Sequence, residues 1–125
     1  MMRTRKLLLL TAALLAAGPA QAQASDRVIE VKVVNGQIQV PESTVRVGRS
    51  VGAIRWDLAT AGFTFPATGI VIDGAAFKNC KPQAQGRRFH CVRNGHVAGA
   101  QYKYDVNVNQ GSKALPTLDP IIQNE

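Results

Sequence analysis

The distribution of apolar and polar residues has a period of two over most of the chain. Ile29, Val31 and Val33 alternate with Glu30 and Lys32, giving one apolar and one wet face, the mark of a half-buried strand. Asn35-Gly36 follows, a dipeptide that tolerates the positive φ angles of a two-residue hairpin, and Gln37 to Val40 is the natural return strand. Thr44 to Val47 alternates again after the turn Pro41-Glu42-Ser43. From Ala53 to Leu58, Ile54, Trp56 and Leu58 share one face, with Arg55 and Asp57 on the other; Trp56 is expected to anchor the core. Phe63 and Phe65 lie on a common side of a segment that Pro66 must stop or place at an edge. Gly69 to Ile72 reads as a short apolar strand, and Ala75 to Asn79 as one helical turn or a loop. Phe89 and Cys91 share a face opposite Arg88, His90 and Val92. The cleanest alternation is the last, with Tyr102, Tyr104, Val106 and Val108 inward and Lys103, Asp105, Asn107 and Asn109 outward.

No segment past residue 25 sustains a helical period. Seven or eight short strands separated by turns predict an all-β Greek-key sandwich, cupredoxin-like or immunoglobulin-like, over residues 25–111. Residues 112–125 carry two prolines and no period. They are expected to form an irregular tail over the surface, with Leu118, Ile121 and Ile122 as docking points.

The N-terminal segment predicts that this domain is exported from the cytoplasm. Arg3, Arg5 and Lys6 precede an apolar run from Leu7 to Ala17, and Ala20-Gln21-Ala22 satisfies the small-x-small rule. Residues 1–22 are therefore expected to be a signal peptide, cleaved after residue 22 or 24. The run is too short to span a bilayer, which takes about 20 apolar residues. The mature form is expected to be a soluble periplasmic or secreted protein with no membrane span. Cleavage removes three basic residues and no acid, leaving 12 basic against 8 acidic residues, a net charge of +4 instead of +7. That excess, in an exported chain, does not point to nucleic acid. Two cysteines in a small exported domain predict one disulfide, Cys80–Cys91.

The segment Phe89-His90-Cys91-Val92-Arg93-Asn94, then Val97-Ala98-Gly99-Ala100, then Tyr102 to Val108, resembles the closing hairpin of cupredoxins. The resemblance covers about a third of the mature chain. It implies a β-sandwich, with Cys91 at the thiolate position of a copper site. Asn94 stands at the position of the second histidine ligand, and no methionine follows the signal segment. A blue-copper site takes two histidines, a cysteine and a weak axial partner. No metal site and no cofactor are therefore expected, with copper binding and electron transfer as the alternative. The order Trp56, Cys80, Cys91 also differs from the Cys–Trp–Cys order of a true immunoglobulin domain.

Catalytic constellations are weak. His90 or His96 with Ser43, Ser50 or Ser112 has no recommending spacing, and there is no Gly-x-Ser-x-Gly elbow, phosphate loop or dinucleotide fingerprint. The chain is expected not to be an enzyme. Charge placement is the distinctive feature. No acid lies between Asp73 and Asp105, an interval that holds Lys78, Lys81, Arg87, Arg88, Arg93 and Lys103 with His90 and His96. Clustered Arg and Lys attract anions. Lys78, Lys81, Arg87, Arg88, Arg93 and His96 are the candidate anion- or partner-binding residues. The expected function is a non-catalytic binding module for an anionic envelope component or another periplasmic protein.

Overall fold

A computed structural model describes residues 25–125; the expected signal peptide lies outside the described residues. The strands are β1 (Ser25–Val34), β2 (Gln37–Gln39), β3 (Thr44–Val47), β4 (Val51–Leu58), β5 (Ile70–Ile72), β6 (Phe77–Gln83), β7 (Arg88–Arg93), β8 (Gln101–Val106), β9 (Asn109–Gln110), β10 (Lys113–Ala114) and β11 (Ile121–Asn124). They form a five-stranded sheet ordered β2-β1-β4-β7-β6, a four-stranded sheet ordered β3-β11-β8-β5, and the small β9–β10 ladder. The β1–β4 and β3–β11 pairs are parallel.

The two sheets enclose one core, as the alternating pattern requires. Ile29 and Val31 of β1, Ile54 and Trp56 of β4 and Phe89 and Cys91 of β7 meet Val45 and Val47 of β3, Tyr104 and Val106 of β8 and Ile122 of β11. Trp56 is fully buried. Its ring lies 5.5 Å from that of Tyr104, and its indole Nε1 donates to the Tyr104 hydroxyl at 3.4 Å. Phe65 packs edge-on against Phe89 at 5.8 Å. A Cβ at Gly69 would fall 2.8 Å from the Phe65 Cβ and 2.9 Å from the Phe89 ring, so this position accepts only glycine without repacking.

The Asn35-Gly36 turn has φ values of 52° and 75°, and Val34 faces Gln37 across it, the two-residue hairpin the sequence predicts. The second Asn-Gly pair does not make a hairpin. Asn94 and Gly95 open the loop that carries the chain from β7 in one sheet to β8 in the other.

Three expectations are corrected. The stretch expected as one helical turn or a loop at 75–79 instead overlaps a seven-residue edge strand, β6, which begins at Phe77 and has a register shift between Lys78 and Lys81. Its side chains are mostly exposed, so no apolar alternation announces it. The tail is not irregular. Ile121–Asn124 forms β11, which lies between β3 and β8, and Ile122 and Asn124 are buried. The sandwich therefore runs to the end of the described chain. Thr64 contributes only an isolated bridge to Asn109, so 62–66 is not a strand; with β6, β9, β10 and β11 the described residues hold eleven strands.

Candidate functional site

Cys80 on β6 is bonded to Cys91 on β7. The bridge staples the edge strand to its neighbour, with Cys91 on the core face and fully buried and Cys80 at the exposed edge. In this oxidised form Cys91 has no thiolate to offer a metal. His90, its neighbour in β7, points to the opposite face, as strand periodicity dictates. Among the described residues, no group of three or more His, Cys, Asp or Glu side chains is placed to hold a metal ion. β8 is not the last strand; β9, β10 and β11 follow it.

The six candidate residues separate into two groups. Arg87, Arg93 and His96 are tied into the framework. Arg87 sits beyond the β6–β7 turn and donates to three backbone carbonyls, Thr60 O at 3.0 Å, Phe63 O at 2.6 Å and Leu58 O at 3.0 Å. It holds the 58–63 loop against the end of the five-stranded sheet. Arg93 has the inward parity of Phe89 and Cys91 and is buried. Its guanidinium donates to Gly48 O at 3.0 Å, Val51 O at 3.1 Å and Asn124 Oδ1 at 3.2 Å, and meets His96 Nδ1. Burial pulls the Arg93 guanidinium below its ordinary pKa, and the nearby Tyr102 phenol opposes that shift. His96 in turn bonds Glu125 O through Nε2 at 2.8 Å.

Lys78, Lys81 and Arg88 face solvent on the outer side of the five-stranded sheet. Strand register aligns them with groups from neighbouring strands. One row across the sheet is Val28, Arg55, His90, Lys81; the next is Glu30, Asp57, Arg88, Gln83. Adjacent strands are about 4.8 Å apart, so each row is a line of closely spaced side chains. Asp57 accepts from Arg88 Nε at 2.9 Å and from Arg55 Nη2 at 3.0 Å. His90 Nε2 lies 3.3 Å from Asp26. Lys78 and Lys81 make no ion pair among the described residues. Arg55 is the member that the charge-run argument misses. Its outward parity beside Asp57 is legible in the alternation, but its neighbours β1 and β7 are set by topology.

The face is therefore graded. Strand β1 brings Asp26 and Glu30, β4 brings the Arg55–Asp57 pair, and β7 and β6 bring cations with no acid at all. At the β6 edge an ion approaching from solvent meets Lys78 and Lys81 first and the partly shared Arg88 behind them. No protein-family model matches the chain, and no curated protein matches it in sequence.

Proposed function

We propose that the protein is an exported, non-catalytic β-sandwich module that binds an anionic component of the cell envelope through the β6–β7 half of its five-stranded sheet. Lys78 and Lys81 make the first contact, and Arg88 reaches the ligand with the guanidinium nitrogens that Asp57 does not occupy. The observation that carries this reading is the pair of unneutralised lysines on a strand stapled in place by Cys80–Cys91. The staple fixes the β6 backbone, so less ordering entropy is lost when the lysines engage a partner. Arg87, Arg93 and His96, occupied by backbone carbonyls, are assigned to the framework.

Periplasmic or secreted anions of the right chemistry are lipopolysaccharide phosphates, acidic polysaccharides and acidic proteins. Co-sedimentation of the purified mature protein with anionic and zwitterionic vesicles, and retention on a carboxylated polysaccharide matrix, test the reading. Retention on at least one anionic support, lost on adding salt, supports it. Equal behaviour on anionic and neutral supports contradicts it.

A further inference from the structure

A second feature lies on a different surface and has the opposite charge. The chain passes from β2 in one sheet to β3 in the other through Val40–Ser43. Pro41 cannot donate to a ladder, so pairing stops there and the sandwich opens. Facing this crossing is the segment that leads into β11. Between them lies a groove of about 280 Å³, walled by Ile38, Val40, Leu118 and Pro120, with Ser43 and Asp119 as polar lining. Sites for small ligands are mostly apolar with a few placed polar groups, and this one is at the small end of their volume range of roughly 300–1,000 Å³.

The walls are held by backbone bonds that leave the groove preformed. Leu118 exchanges hydrogen bonds with Val106, N to O at 3.1 Å and O from N at 2.8 Å. Pro120 O accepts from Tyr104 N at 3.0 Å, and Ser43 O accepts from Ile121 N at 2.8 Å. The groove thus follows from β11 lying between β3 and β8.

Charge selects the occupant. Asp119 lines the groove, and the Asp105 carboxyl lies beside it. Hydrogen bonding of a protonated Asp105 to Asp119 first, then slight burial and the negative charges of Asp119 and Asp73, raise the Asp105 pKa, and Lys103 opposes them. Asp105 and Asp73 thus add negative charge on the Asp119 side of the groove, with Lys103 as the cation beside them. Glu30 and Lys32 line the adjoining hollow and pair with each other at 3.7 Å.

We infer that the groove binds a small amphiphilic cation of the alkylammonium class. Its chain lies on Ile38, Val40, Leu118 and Pro120, and its ammonium meets the Asp119 carboxylate. An anionic or neutral chain of the same length gains the apolar contact without the charge.

Titration of the mature protein with decylammonium, decanol and decanoate, each below its micelle concentration, tests this by NMR shifts of the Ile38 and Leu118 methyls. Decylammonium is expected to bind more tightly than decanol, and decanoate least. Asp119→Asn is expected to weaken decylammonium binding about two- to fivefold, the worth of one exposed ion pair, and to leave decanol unchanged. Asp119 is exposed, so this variant keeps the fold, and an unchanged melting temperature verifies that. Equal affinity for decanoate and decylammonium, shifts confined to other methyls, no binding of any chain, or an Asp119→Asn variant that binds decylammonium as well as wild type would each overturn the inference. None of these outcomes bears on the lysine face.

Discussion

Arg93 on β7 donates to Asn124 on β11 at 3.2 Å, joining the two sheets through a buried polar contact. Asn124 completes the link by donating its side-chain amide to Val97 O at 2.9 Å. The β3–β4 turn enters the same network through Gly48 O and Val51 O. A hydrogen bond from a charged donor contributes roughly 1.5–3 kcal/mol, and removing it strands buried acceptors. Arg93→Ala is therefore expected to lower stability by about 3 kcal/mol or more in urea titration, a large share of the roughly 5–15 kcal/mol of a small domain. A loss below about 0.5 kcal/mol would mean that the network does not hold the sheets.

Arg87 and Arg88 are neighbours with different expected behaviour. Arg87→Glu removes three carbonyl contacts and places a carboxylate against the same oxygens, so its melting temperature should fall well below that of wild type. Arg88→Glu breaks only a half-exposed ion pair with Asp57, worth about 1 kcal/mol or less, though it adds repulsion there. Thermal melts of the two variants side by side check the contrast; equal losses would show that the Arg87 contacts contribute little.

The disulfide closes a short loop, for which chain entropy gives about 3 kcal/mol. Cys80→Ala and Cys91→Ala should each cost about 2–4 kcal/mol, and the double variant little more, because both remove the same bond. Free thiols in the unreduced protein would contradict the pairing.

In β8, Val106 is fully buried, whereas Asp105 is partly exposed beside Asp119. Val106→Asp is expected to prevent folding, because it places an unpaired carboxylate in the core. Asp105→Ala is expected to leave stability at neutral pH unchanged or slightly higher, since it removes one of several neighbouring negative charges. Circular dichroism melts separate the two, and similar behaviour would contradict the strand's orientation.

Burial raises the pKa of Tyr104 to about 12, with the Trp56 hydrogen bond opposing the shift. An unfolded tyrosine titrates near 10. The folded state therefore holds this proton more tightly, and its contribution is fully present below pH 10. It is lost as pH rises toward about 12, by up to roughly 2–3 kcal/mol. Tyr104→Phe should flatten that alkaline loss when stability is measured against pH; an unchanged slope would place its origin elsewhere.

Much of the fold was legible because so many residues alternate. The Asn35-Gly36 hairpin, the β3 bounds, the inward face of β4 and the parity of β8 all follow from period two and turn chemistry. Strand β6 escaped because it is an edge: Lys78, Asn79, Cys80 and Lys81 are all exposed, and the register shift breaks the remaining pattern. Strand β11 escaped because one of its two inward residues is Asn124, which looks like a surface residue until its partner Arg93 is known. The inward placement of Arg93 is hidden for the same reason. Its parity matches Phe89 and Cys91, but a guanidinium suggests solvent unless carbonyls from a distant turn come to meet it. The basic run was visible in the sequence; which of its members face outward depends on the sheet.

The most direct test of the lysine face holds the change in net charge fixed and moves its position. Lys78→Glu/Lys81→Glu reverses the two free cations of β6. Arg46→Glu/Lys113→Glu makes the same charge change at exposed sites on β3 and β10. All four sites are exposed, where substitutions usually shift stability by about 0.5 kcal/mol or less. Affinity for the anionic support that retains the wild type is then measured for both double variants at several salt concentrations. The proposed function predicts that the β6 reversal abolishes binding while the control retains most of it. Equal loss in the two would reduce the interaction to net charge, and undiminished binding by the β6 variant would contradict the assignment of this face.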